Sequence, residues 1–442
     1  MTVSADVRTM LERRKKNHTL EAPFYTSEDI FALDMDAIFR HHWIQVAVEP
    51  DVPEPGDYVT VEVGHDSILI VRDDDMQVRA FHNVCRHRGA RLCNTEKGSL
   101  GNIVCPYHSW TYNLNGELMF AEHMGEQFDR CTHSLKAVHV ENLAGLIFIC
   151  LAENPPTDFA VMRAAMEPYL LPHDLAGCKI AASIDIIEEG NWKLTMENNR
   201  ECYHCVANHP ELTISLYEYG FGYQRTPANE EGMAAFEATV ARRTAQWEAM
   251  NLPSAEIERL ADLVTGFRTQ RLPLDRDGES QTLDARVASK KLLGGFEHAD
   301  LGGLSFWTQP NSWHHFMSDH IVSFSVIPLS AGKTLVRTKW LVHKDAREGI
   351  DYDVDNLTAV WRATNDQDRT LVEYSQRGAT SSAYEPGPYS PFTEGLVEKF
   401  CEWYIGRLAE HANAPHDESL NESHTAGRAP LSHDEKVVSF TR

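Results

Sequence analysis

No apolar run in the sequence is long enough to cross a bilayer; the longest, Leu143 to Ala152, reads instead as a buried strand. Basic residues are scarce as well. Lysine and arginine number 41 against 65 acids, a formal charge of −24, and such a surface repels nucleic-acid phosphates and anionic lipid. The N-terminal region carries Arg13, Arg14, Lys15 and Lys16 but no apolar stretch of signal-peptide type, so a cytoplasmic location is expected. There is no internal repeat and no glycine-rich nucleotide fingerprint. Cysteine is sparse: nine residues, an odd number spread over 442, which argues against a secreted disulfide framework and for metal ligands or buried thiols. Histidine, by contrast, is plentiful at 22, and several histidines sit beside cysteines.

The texture of the chain changes along its length, and the length suggests two or three domains. Residues 1–42 read as a helical segment, with a Ser27 cap before an apolar periodicity from Ile30 to Phe39. Residues 43–155 are short β runs (Tyr58–Val63, Ser67–Val71, Val78–Val84, Trp110–Leu118, Leu143–Leu151) divided by turn signals. Residues 156–410 are mixed. A strand is expected over Lys179–Ile187, helices over Trp192–Val206 and residues 228–262, a hairpin from Ile321–Leu329 to Thr334–His343, and long amphipathic stretches over Val354–Ser375 and Thr393–Leu408. This grouping predicts an α+β fold rather than regular alternation. Residues 411–442 read as a loose polar tail.

Two constellations carry chemistry. In the first, Cys85-Arg86-His87 is followed by Cys105-Pro106-Tyr107-His108, one thiolate and one imidazole per arm. Zinc accepts such ligands, but its sites usually begin with paired cysteines. A Rieske [2Fe–2S] centre needs two thiolates on one iron and two imidazoles on the other, which this spacing supplies from two loops. Cys93, between the arms, reads as a packed thiol.

The second lies at Glu201-Cys202-Tyr203-His204-Cys205-Val206-Ala207-Asn208-His209-Pro210. His204 and His209 would point ~140° apart on a regular helix, so both reach one ion only if the helix loosens or ends between them. Pro210 makes an ending natural. With a carboxylate they would form the 2-His-1-carboxylate triad of non-haem iron oxygenases; without one they are ordinary helix-end histidines. On the amphipathic stretch Leu357, Trp361, Thr364, Asp368, Leu371 and Ser375 share a face, and Asp368 is the one charge on it. Asp366 points away. Glu201 either orients a ligand or pairs with Arg200 or Lys193, or it carries electrons between two metals.

Asn83–Gly89, Cys105–Thr111, Asn191-Trp192-Lys193 and Glu201…His204…His209 together resemble the catalytic α subunit of Rieske non-haem iron oxygenases, over nearly the whole chain. Within that family Glu197–Cys205, Trp340–Lys344, Thr364–Asp368, Gln376–Gly378, Pro386–Tyr389 and Trp403-Tyr404 resemble the quaternary-ammonium branch, the glycine betaine, proline betaine (stachydrine) and carnitine oxygenases. The resemblance implies an all-β Rieske domain inserted near the N-terminus of a helix-grip (START-like) antiparallel-sheet catalytic domain. It implies a [2Fe–2S] cluster on Cys85, His87, Cys105 and His108, mononuclear Fe(II) on His204, His209 and Asp368, and a homotrimer in which Glu201 bridges one subunit's cluster to its neighbour's iron. Many ring-hydroxylating relatives carry aspartate there, and glutamate suits the betaine branch.

The implied reaction is O2-dependent N-demethylation of a small quaternary ammonium betaine, with electrons from a separate flavin/[2Fe–2S] NAD(P)H-dependent reductase. The residues around Ala245–Ala249 and Ser289–Gly294 tilt the reading to glycine betaine, with proline betaine, then carnitine, then an aromatic ring as the alternatives. Such a cation is best held by an aromatic cage, for which Phe306, Trp307, Trp313, Phe316 and Tyr203 are candidates. His314 and His315 read as structural.

Overall fold

The computed structural model describes residues 4–216 and 224–413. The expected tail lies outside the described residues except for 411–413, which continue the last helix, Gly395–Asn413. The fold is α+β, with small antiparallel sheets followed by one large one.

Between Ile44 and Cys150 the chain forms three such sheets. The first places Val78–His82, Asp66–Arg72, Asp57–Val63 and Lys97–Ser99 side by side; the second joins Ile103–Val104, Thr111–Tyr112 and Leu118–Phe120; the third joins Ile44–Val48, Leu146–Cys150 and His139–Leu143. The apolar run from Leu143 is thus a hairpin corner and not one strand. Ala144 and Gly145 both take positive φ, 49° and 94°, which suits a two-residue turn. The expected strand 110–118 also divides, at the turn where Gly116 has φ 88°.

The larger sheet is antiparallel throughout, in the order Cys178–Glu188, Lys333–His343, His320–Ser330, Ser312–Phe316, Gly303–Thr308, Phe267–Leu272, Ile257–Arg259. Its long hairpin, His320–Ser330 with Lys333–His343, falls where the alternating pattern predicts it. The helix Val354–Ala379 lies against this sheet. Its side chains Leu357, Val360 and Trp361 join Phe324, Val326, Val336 and Trp340 in one buried cluster. Asp353 caps its start by accepting from the Asn356 N–H.

Two expected helices end early. The helix Glu230–Ala249 gives way at Asn251, whose φ is 55°, and Ile257–Arg259 becomes the edge strand. The helix Trp192–Asn199 stops well before His204. A buried knot fixes it. Asn191 caps it and donates to the Ala331 carbonyl at 2.7 Å, while Trp192 Nε1 donates to Asp34 at 3.0 Å, Lys193 pairs with Asp34, and Tyr404 donates to Asp34 at 2.6 Å. The N-terminal segment, this helix and the last helix therefore share one ion pair, closed to water on all sides.

Candidate metal centres and cavity

The first constellation occupies two loops that repeat each other. Cys85 N–H donates to the Ala90 carbonyl and Cys105 N–H to the Trp110 carbonyl, both at 2.8 Å. Four residues after each cysteine the chain turns left-handed, at Gly89 (φ 74°) and Ser109 (φ 58°). This geometry buries both sulfurs in a cluster with Tyr58, Trp110 and Tyr112 and leaves both imidazoles at the surface. Burial first, and then the Cys85 thiol, push the Cys105 thiol up. The His87 and His108 Nδ1 atoms lie 3.2 Å apart, with His87 stacked 4.8 Å from Trp110. Two buried thiols beneath two exposed imidazoles suit a cluster with one sulfur-bound and one nitrogen-bound iron. Cys93 packs in the core nearby, its thiol raised by burial to about 11.

The second constellation is assembled from distant parts. His204 and His209 flank the single helical turn Cys205–Asn208, and His209 leaves helical geometry at φ −120°, ψ 67°. That brings the rings to 4.9 Å between centroids. Asp368, from the long helix, places Oδ1 3.2 Å from His204 Nε2 and 3.0 Å from His209 Nε2. The Nδ1 atoms face acceptors: Glu201 Oε1 at 2.5 Å for His204 and Gln367 Oε1 at 2.8 Å for His209. Such bonds set which nitrogen remains for a metal. His209 Nε2 is buried with no properly directed hydrogen bond. The orphaned nitrogen, its twin on His204 and the facing carboxylate fit a mononuclear metal.

Electrostatics agree with that geometry. Burial opposes charging of His204, but the Asp368 and Glu201 carboxylates outweigh it and raise the imidazole to about 9. Burial likewise opposes ionisation of Asp368, and the two imidazoles hold it below the usual carboxylate range. Asp366 faces outward and pairs with Arg369. Glu201 bonds to neither Arg200 nor Lys193; it also accepts from the backbone N–H groups of Tyr203 and His204.

Residues 42–129 match the Rieske [2Fe-2S] domain, and residues 175–410 match the ring hydroxylating alpha subunit (catalytic domain) family. The chain is 45% identical over 408 residues to a glycine betaine monooxygenase oxygenase subunit of Chromohalobacter salexigens, covering 92% of this chain and 89% of that one. A protein of the same name from Pseudomonas aeruginosa is also 45% identical, over 90% and 91% of the two chains. The chain belongs to the ring-hydroxylating α-subunit family.

It is a Rieske-type non-haem iron monooxygenase, an oxidoreductase whose cofactors are a [2Fe–2S] cluster and mononuclear iron. Its fold is shared with the crystal structure of a quaternary ammonium Rieske monooxygenase in complex with substrate L-carnitine. That match has TM-score 0.64 and 24% identity and covers 92% of this chain and 99% of that one. No helix among the described residues is long and apolar enough to cross a membrane.

In this α subunit a cavity of about 450 Å³ opens over His204, His209 and Asp368. Strand alternation divides the proposed cage aromatics. Trp307 lines the cavity, Trp313 lines a small void behind it, and Phe306 and Phe316 point to the opposite face and are wholly buried in another core cluster. Tyr203 is 62% exposed and is not part of the lining. The wall instead includes Trp361 and His315, stacked at 4.4 Å, together with Arg200 and Arg268. Sequence reasoning placed Trp361 on the right helix face, took His315 as structural, offered Arg200 only as a partner for Glu201 and passed over Arg268. Cys202 and Cys205, expected as thiols or ligands, are joined in a disulfide on the lining.

Proposed function

We propose that this chain is the oxygenase component that removes an N-methyl group from a small quaternary ammonium betaine, glycine betaine first, yielding dimethylglycine and formaldehyde. The observation that carries this reading is a ligand-sized cavity floored by His204, His209 and Asp368, in a chain 45% identical to glycine betaine monooxygenase oxygenase subunits. In it, Cys85, His87, Cys105 and His108 hold the cluster, and His204, His209 and Asp368 hold ferrous iron. When bound, the cluster supplies electrons and the iron supplies O2 activation for hydroxylation of one methyl group.

The protein's own groups prepare that chemistry. Gln367 and Glu201 hold the Nδ1–H of each histidine, so both Nε2 lone pairs converge beside Asp368 Oδ1. With His204 raised to about 9 before metal binds, loading the site displaces a proton at neutral pH. Trp361 and His315, on the cavity wall, would meet the ammonium end. Once a methyl is hydroxylated, its C–N bond breaks, formaldehyde leaves and a proton is released. Glu201 already grips His204; in a homotrimer its carboxylate would meet an exposed cluster histidine of a second copy and carry the electron across. A separate flavin/[2Fe–2S] NAD(P)H-dependent reductase, in the cytoplasm, would load the cluster.

The test is a single turnover: reduce the reconstituted protein chemically without air, remove the reductant, then admit O2 with glycine betaine, proline betaine or carnitine. Formaldehyde near one equivalent per reduced site with glycine betaine supports the reading. Formaldehyde from another member alone moves the substrate, and none from any of them rejects demethylation.

A further inference from the structure

The cavity wall carries three cations, Arg200, Arg268 and Lys399. Two of them are answered by acids: Arg268 Nε donates to Glu256 at 2.8 Å, and Lys399 pairs with Glu258. Arg200 is not. Its side chain is wholly buried and donates to neutral oxygens only, the Asn199 amide at 2.8 Å and the Thr308 carbonyl at 3.2 Å. No carboxylate among the described residues pairs with it, and its Nε–H has no partner. Burial, and then Arg268, lower its pKa to about 9, so it remains cationic at neutral pH. A buried, uncompensated guanidinium is costly and is tolerated where an anion completes it.

A second donor stands beside it. Trp307 is the cross-strand neighbour of Arg268, and its ring centroid lies 5.4 Å from the Arg200 guanidinium and 4.6 Å from that of Arg268. With two guanidiniums against it, this ring is a poor place for a third cation, which corrects its reading as part of an ammonium cage. Its indole N–H is buried and unpartnered. Two orphaned donors on one wall, one of them charged, match a carboxylate.

We propose that Arg200 and the Trp307 indole N–H form the carboxylate anchor of the substrate, a subsite for zwitterions that join a carboxylate to a quaternary ammonium. It rests on the betaine reading above and adds which end is gripped and by what. The same charge repels the ammonium end toward Trp361 and His315. Arg200 thereby selects zwitterions over simple alkylammonium ions, and no bond is made or broken at it.

Calorimetric titration of the holoenzyme tests this with two probes that share a trimethylammonium head, glycine betaine and choline, the latter bearing a hydroxyl in place of the carboxylate. Arg200→Gln should weaken glycine betaine about thirtyfold, the loss of a charge-assisted bond, and move choline less than about threefold. Trp307→Phe should weaken glycine betaine about fivefold and spare choline. Equal losses for both probes, no loss for either, or a wild-type protein indifferent to the carboxylate would overturn the anchor. If Arg200→Gln does not fold, Trp307→Phe and Arg200→Lys decide by the same ratio. Formaldehyde release with unchanged KM in Arg200→Gln removes the anchor and leaves demethylation standing. Arg200-dependent glycine betaine binding without formaldehyde does the reverse.

Discussion

The two metal centres of this chain are built by opposite means. The cluster loops are local and nearly duplicate: cysteine, then a hydrogen-bonded turn, then a left-handed residue, once at Cys85 to Gly89 and again at Cys105 to Ser109. The iron site is assembled across the fold, joining a loop at 201–209 to a helix residue 164 positions beyond His204. A local site depends on its own turns. An assembled one depends on every contact that sets the register of the helix against the sheet. The difference implies that the second centre can be lost while the first survives.

The largest expected effect follows directly. Asp368→Ala should abolish mononuclear iron binding and lower turnover by at least about three decades, roughly 4 kcal/mol, while the cluster absorption stays intact. Iron analysis and the visible spectrum together check it. Turnover that persists with full iron content would remove Asp368 from the ligand set.

Glu201→Gln draws the comparison more finely, because Glu201 holds His204 and, in the homotrimer proposed above, would also meet the cluster of a second copy. An amide oxygen can still accept from His204 Nδ1, so both metals should remain. The charge on the proposed path between copies is gone, and reoxidation of the reduced cluster by O2 and substrate should slow about 10–100-fold. Stopped-flow bleaching and recovery of the cluster band reads this directly. An unchanged rate would leave Glu201 as a ligand-orienting acid alone.

This division also explains what could be read from the chain. The pairing of the candidate cluster residues is legible because each short turn carries its own cysteine and histidine. Asp368 is legible because a single carboxylate on the stripe Leu357, Trp361, Thr364 has few other reasons to be there. The break after Asn199 is not, since no glycine or proline stands between Trp192 and His204. What stops the helix is the Glu201 carboxylate capturing the N–H groups of Tyr203 and His204, a competition that favours turns over helix. The cavity wall is the least legible part. Trp307 and His315 face it, whereas Phe306 and Phe316 do not, and that choice is made by sheet register.

The smallest effect tests whether the two cluster loops are truly equivalent. Gly89 and Ser109 hold the same place in each turn, yet only one has the residue suited to positive φ. A Cβ added at Gly89 meets no atom within 4 Å, so Gly89→Ser isolates the backbone term without a clash. It should cost about 1 kcal/mol, and Ser109→Gly should return up to about that amount, since a non-glycine residue there bears the left-handed penalty. Thermal unfolding of the two variants and of the double exchange measures both terms. If the loops are equivalent, the exchange is close to neutral. If Gly89→Ser costs several times more than Ser109→Gly returns, the glycine serves close backbone approach to the cluster and not turn geometry alone, and the loss should then disappear in protein stripped of its cluster.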